Sequence, residues 1–180
     1  SIKAALLYSD VITTVSPTYA NELQMPFYGE GMDGIFRRRA GSLYGILNVI
    51  DTVEWNPKTD KYLPANYDAN DMSGKAECKR ALQEELGLEV DEGKFVIGLI
   101  SRLTNQKGLD LVNEILPGLI DGNTQIAVLG TGDAVYEGSF RNFEEWYKGS
   151  VCSCIMYDEG RAHRIYAGAD ALLVPSLFEP

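Results

Sequence analysis

Two hydrophobic rhythms alternate along the second half of this chain. Phe95-Val96-Ile97-Gly98-Leu99-Ile100 is apolar without interruption, the pattern of a strand covered on both faces. Val112, Ile115, Leu116, Leu119 and Ile120 then recur at helical spacing and form one stripe. The pattern continues with a strand over 125–129, a helix over 133–147, a strand over 151–156, a helix over 159–168 and a strand over 170–174. Strand and helix alternating in this way predict the α/β class, with a doubly wound parallel sheet from about residue 94 onward and helices on both faces. Just upstream, 73–86 reads as a helix with Cys78, Leu82 and Leu86 on one face and Gly87 placed to end it.

The first third is less regular. Residues 3–9 read as a helix end, followed by the β-branched run Val11-Ile12-Thr13-Thr14-Val15 and a helix over 18–23, with Pro17 suited to its first turn. A glycine-rich stretch, Gly29 to Gly34, precedes Arg37-Arg38-Arg39 and a second short apolar run over 43–49. From Asp51 the composition turns polar, with Pro57, Pro64 and six Asn or Asp between Asn56 and Asp71. That interval is the expected boundary: residues 1–50 end one unit, 51–73 form a hinge and linker, and 74–180 form a second, incomplete one. A doubly wound domain carries about six strands, and this one reaches only four, so the chain reads as a fragment of a longer two-domain protein.

Composition narrows the choice of partners. Among 180 residues, 16 Lys and Arg stand against 26 Asp and Glu, a formal charge of -10. Phosphate-backbone binding needs clustered cations, so no nucleic acid is expected, and an anionic ligand must be met by a few well-placed Lys or Arg. Cys78, Cys152 and Cys154 are odd in number, and C-x-C is tighter than the usual metal knuckle, so they read as small buried residues. No apolar run reaches 18 residues, the first residues do not open a signal peptide, and no membrane partner is expected. The chain reads as intracellular and soluble.

In an open α/β sheet, ligands sit beyond the carboxyl ends of the strands, which directs attention to four loops. After the first strand of the regular half, Ser101 to Gly108 places Arg102 and Lys107 ahead of a helix, where two cations beside free N–H groups suit a diphosphate or are simply solvated charge. After the next strand, Gly130-Thr131-Gly132-Asp133 is either a close backbone approach to a ligand or a structural turn. Val135 stands where the dinucleotide fingerprint demands glycine. Tyr157, past the third strand, either faces a base or packs, and Glu179, past the fourth, is either a site carboxylate or a surface one. His163 is the only histidine; it reads as structural, with no partner at metal spacing. There is no Walker A motif, no H-E-x-x-H, no G-x-S-x-G and no D-x-D, so no metal and no cofactor are expected, and diphosphate charge falls to side chains.

These residues resemble a known family. Val15-Ser16-Pro17-Thr18-Tyr19-Ala20-Asn21-Glu22-Leu23, Gly45 to Asp51 with Trp55-Asn56-Pro57, Ser101-Arg102-Leu103 with Gln106-Lys107-Gly108, Leu129 to Asp133, and His163 with Tyr166 to Asp170 and Pro175 to Pro180 are, in order, similar to bacterial glycogen synthases and plant starch synthases. The resemblance implies a GT-B fold of two Rossmann-like domains, the chain covering the end of the first, glucan-binding one and most of the second, nucleotide-sugar-binding one. It implies a retaining, metal-independent transfer of glucose from ADP-glucose or UDP-glucose to an α-1,4-glucan, in a bacterial cytoplasm or a plastid. By the same resemblance, Arg102 and Lys107 hold the donor diphosphate, Gly130 and Thr131 lie along the nucleotide, Tyr157 contacts the base, Glu179 stands by the transferred glucose and Asn48 lies near that sugar. The family reads Asn-Gly-Ile-Asp where this chain has Asn48-Val49-Ile50-Asp51, and Val does not readily take φ > 0, so the turn there is expected to differ. These 180 residues by themselves are expected to be inactive. The alternatives are another GT-B transferase such as sucrose synthase, or a non-catalytic module that binds nucleotide or glucan. A dinucleotide dehydrogenase is disfavoured by the missing third glycine.

Overall fold

A computed structural model describes residues 1–177. It divides into two units between Ile50 and Asp51. In the first, α1 (Ile2–Tyr8), β1 (Ile12–Val15), α2 (Pro17–Glu22), α3 (Asp33–Arg38) and β2 (Leu43–Ile46) follow in order. The two strands are parallel, Ile12 opposite Leu43 and Val15 opposite Ile46, over a small core that includes Ala20 and Phe36. Ser16 leaves β1 at a φ of 63° and caps α2, its Oγ accepting the Tyr19 N–H at 3.0 Å. Helix α3 lies in the glycine-rich stretch that the hydrophobic pattern left unassigned. Beside it, Arg39 donates to the carbonyls of Leu6, Leu7 and Ser9 at 2.9, 2.8 and 2.6 Å, satisfying the end of α1. Val49 keeps a negative φ; among the described residues only Ser16 and Glu30 are non-glycine residues with a positive one.

The second unit holds α4 (Ser73–Glu85), β3 (Phe95–Ile100), α5 (Leu109–Leu119), β4 (Thr124–Leu129), α6 (Ala134–Trp146), β5 (Val151–Cys154), α7 (Glu159–Gly168) and β6 (Ala171–Leu172). The strands are all parallel in the order β5-β4-β3-β6, so the chain reverses its direction of winding between β3 and β6. Alternate side chains face opposite ways. Leu99, Ile126, Val128 and Val151 pack against Val112, Leu116, Phe140 and Phe143 of α5 and α6. Val96, Ala127, Leu129, Cys152 and Cys154 pack against Leu82 and Ile165 of α4 and α7. This is why the strand patterns are continuously apolar rather than alternating. The stripe on α5 is narrower than the sequence suggested: Val112 and Leu116 are fully buried, but Ile115 is 46% exposed. Strands β5 and β6 are shorter than expected, two residues sufficing for β6 because only Ile97 and Gly98 pair with it.

The interval 51–73, which composition suggested was a hinge and linker, is packed onto this unit. Asn66 donates to the carbonyls of Pro57 and Asp60, both at 2.9 Å, and the Cys78 thiol reaches the Ala65 carbonyl at 3.2 Å. All three cysteines are buried and unbridged. Cys152 and Cys154 share one face of β5 with their sulfurs 3.6 Å apart. A hydrogen bond between them favours the Cys154 thiolate, lowering that thiol, and penalises ionisation of Cys152, raising it.

Helices α4 and α7 are clamped by one carboxylate. Glu85 accepts from Arg161 at 2.9 Å and from Arg164 at 2.6 and 2.9 Å. The Arg164 hydrogen bond first, and Arg161 with it, holds the Glu85 carboxyl below its ordinary value against an opposing effect of burial. A carboxylate depressed in the folded state stabilises above its unfolded value, and that contribution is lost as pH falls through the folded one. Because the cluster is partly solvated, Glu85→Gln is expected to cost only about 1 kcal/mol at neutral pH. Denaturant melts of wild type and variant should draw together as pH falls below the ordinary glutamate value of about 4.3 and through the lowered folded one. A difference that stays undiminished after the carboxylate has been protonated would show that Glu85 acts through packing rather than charge.

Candidate active site

The loops leaving β3 and β4 are knitted together past the sheet itself. Ser101 donates to the Leu129 carbonyl at 3.1 Å, Leu103 to Thr131 at 2.9 Å, and Asp133 back to Leu103 at 2.8 Å. No side chain fits between these backbones. A Cβ on Gly130 would meet the Ser101 carbonyl oxygen at 1.9 Å and one on Gly132 the Leu103 oxygen at 2.2 Å, so both glycines answer to the neighbouring loop. On the other side of β3, Gly108 turns in the left-handed region at a φ of 66°, and a Cβ there would lie 2.0 Å from the Pro175 carbonyl oxygen. Leu177 donates to the Gln106 carbonyl at 3.0 Å. The loops after β3 and β6 therefore meet where the winding reverses, the place at which such sheets bind ligands.

A cleft of about 360 Å³ opens at this carboxyl edge. Ile100, Leu129 and Ala162 contribute apolar surface, while Arg102, Gly130, Thr131 and Tyr157 of the anticipated site residues line it. Arg102 is exposed, and among the described residues its guanidinium has neither an ion-pair nor a hydrogen-bond partner, so its charge is available to an anion. Tyr157 is 91% exposed, which removes the packing alternative for that ring. Lys107 is on the short 3-10 turn Asn105–Lys107 immediately before α5 and does not line the cleft. Asn48 belongs to the first unit, in the stretch after β2. Glu179 lies outside the described residues.

Among the cleft residues not expected as site residues from the sequence are Trp55, Asp158, Glu159 and Tyr166. Trp55 comes from the polar interval and Tyr166 from α7, their rings meeting edge to face at 5.3 Å. A tryptophan inside a stretch of Asn, Asp and Pro was the available signal, since such a ring needs an apolar partner. Asp158 caps α7 through the Arg161 N–H at 2.8 Å. With Glu159 it makes this end of the cleft acidic, so an anion is favoured at the Arg102 end and an uncharged aromatic group toward Trp55, Tyr157 and Tyr166. A larger groove, about 820 Å³, lies beside α4 and residues 90–93. It includes Asp170, which precedes β6, and so it opens at the amino ends of the strands, where no strand-end loop converges.

Comparison with known proteins places this geometry. The family model of the starch synthase catalytic domain matches residues 1–38. Over 99% of the chain, a glycogen synthase of Lachnospira eligens is 51% identical and one of Thermotoga maritima 52%. The chain spans 38% and 37% of the length of these two relatives. Among solved structures, the catalytic domain of starch synthase IV from Arabidopsis thaliana, bound to ADP and acarbose, superposes with a TM-score of 0.91 at 37% identity, covering 99% of this chain and 37% of that one. No helix of the described residues is long and apolar enough to cross a membrane.

Proposed function

Since the chain belongs to the glycogen synthase and starch synthase family, we propose that the protein carrying it is a GT-B glucosyltransferase that moves glucose from ADP-glucose to the non-reducing end of an α-1,4-glucan. The observation that carries this reading is identity near one half, sustained over essentially the whole chain, with two bacterial glycogen synthases. The ADP in the similar starch synthase favours an adenine donor over UDP-glucose. The bacterial relatives favour a cytoplasmic location over a plastid.

The cleft suits that chemistry from both ends. Breaking the bond at an anomeric carbon builds positive charge on the sugar and negative charge on the departing diphosphate. Arg102, at the rim, and Lys107, at the start of α5, meet the diphosphate, and their preorganised charge counts for more as the bond lengthens. Gly130 and Thr131 lie along the nucleotide, and Tyr157 covers the base on the aromatic side of the cleft. By the resemblance, Glu179 is the carboxylate for the transferred glucose, suited to orienting its hydroxyls or favouring the developing cation, and Asn48 is a second residue for that sugar. Configuration at the anomeric carbon is retained.

The full-length protein, given radiolabelled ADP-glucose and glycogen, is expected to lengthen the glucan by α-1,4 linkages and to use UDP-glucose more slowly. Sucrose formed from UDP-glucose and fructose would replace this reading with a sucrose synthase. Binding of ADP-glucose without transfer would replace it with a non-catalytic module.

A further inference from the structure

His163 carries chemistry that the glucosyl transfer does not use. Its ring is only 2% exposed, stacked on Trp55 at 3.8 Å with 10° between the planes, and Tyr62 leans on it at 4.9 Å. Nδ1 lies 2.6 Å from Asp60 Oδ2, while Nε2 is buried with no hydrogen-bond partner among the described residues. A side-chain nitrogen buried without a partner among the described residues is uncommon, and it marks Nε2 as a position able to act as a ligand. In the neutral ring the carboxylate fixes the tautomer: Nδ1–H donates to Asp60, and Nε2 keeps its lone pair. This carboxylate–imidazole pairing is the arrangement that orients a metal-ligating histidine.

Two carboxylates complete the picture. Glu159 precedes His163 by four residues on α7, one helical turn away on the same face, and Glu54 comes from the turn after Asp51. One carboxylate oxygen from each, with a ring nitrogen of His163, all lie within 4.8 Å of one another. The reading of His163 as lacking any partner at metal spacing is thereby corrected: the spacing to Glu159 was present in the sequence, and Glu54 came close only through folding.

We propose that His163, Glu54 and Glu159 form a divalent-cation site, with Zn²⁺ the ion that best suits one imidazole and two carboxylates. Donors around a tetrahedral zinc stand about 3.3 Å apart, so the glutamates must draw inward, which exposed side chains do by rotating about their own bonds. A fourth position remains for water. The ion would fasten the segment carrying Trp55 to α7 and so hold the aromatic side of the cleft in place. It takes no part in bond breaking, and the site does not depend on the proposed transfer.

The test uses the full-length protein, stripped of metal by chelation, and Zn²⁺ or Co²⁺ alone as probe. Calorimetry is expected to show one saturable Zn²⁺ that raises the melting temperature. Co²⁺ should give visible absorption without the near-ultraviolet band of cobalt–thiolate bonds. Because His163→Ala removes a core ring, the deciding variant is Glu54→Gln with Glu159→Gln. It should melt like wild type without metal and bind Zn²⁺ at least about tenfold more weakly. Three outcomes overturn the proposal: no saturable binding, binding unchanged in the double variant, or a thiolate band that places the ion on Cys152 and Cys154.

Discussion

Lys107→Ala in the full-length enzyme is expected to slow glucan elongation by about 10² to 10³-fold, the loss of about 3 kcal/mol of transition-state stabilisation. The argument starts from position. Lys107 ends the turn between β3 and α5, next to the residue that opens the helix, where backbone N–H groups and the helix dipole already favour an anion. Arg102, five residues earlier on the same loop, lines the cleft with its charge uncommitted. A leaving diphosphate gains charge only as the bond breaks, so the loss should fall on kcat and leave KM for glucan almost unchanged. Lys107→Arg should restore part of the rate. Incorporation of labelled glucose into glycogen, measured on variants whose melting temperatures match wild type, is the check. Activity of Lys107→Ala within about threefold of wild type would remove the residue from the proposed diphosphate site.

The second large effect is structural and lies one residue on. Gly108→Ala should destabilise the second unit by about 3 kcal/mol, because two costs add. A side chain in the left-handed region costs about 1–2 kcal/mol. The new methyl would also sit 2.0 Å from the Pro175 carbonyl oxygen, a backbone atom that no rotamer change can move aside. Overfilling of this kind costs about 1–3 kcal/mol more. Relief requires the β3 and β6 loops to part, which breaks the Leu177–Gln106 hydrogen bond of 3.0 Å and displaces Lys107 with it. A fall in melting temperature on the order of 10 °C, followed by circular dichroism, is expected, with a loss of activity greater than the stability change alone explains. Gly118→Ala is the control. It lies inside α5 with nothing within 4 Å of the added carbon, so it should be neutral or slightly stabilising. Equal melting of the two variants would show that the loop contact does not constrain the fold.

What the sequence determined by itself is what adjacent residues decide among themselves. Unbroken apolar runs marked the strands because both faces are covered, and 3.6-residue spacing marked α4 and α7 within a residue or so of their ends. The loop motifs were legible for the same reason: Arg102, Gly130, Thr131 and Tyr157 follow strand ends that periodicity locates, and all four line one cleft. Sequence did not show why the glycines are there, since the Ser101 and Leu103 carbonyls that exclude a Cβ belong to the preceding strand's loop. It did not show α3, whose two buried side chains, Ile35 and Phe36, are too few to make a rhythm. Above all, it left the interval after Asp51 as a linker, because Asp60 and His163 are 103 residues apart and meet only after strands, helices and turns have been assembled. Pattern within one segment reports which face that segment buries. Strand order, the convergence of the β3 and β6 loops, and the burial of His163 against Trp55 and Asp60 depend on which surfaces find each other, and only the tertiary structure decides that.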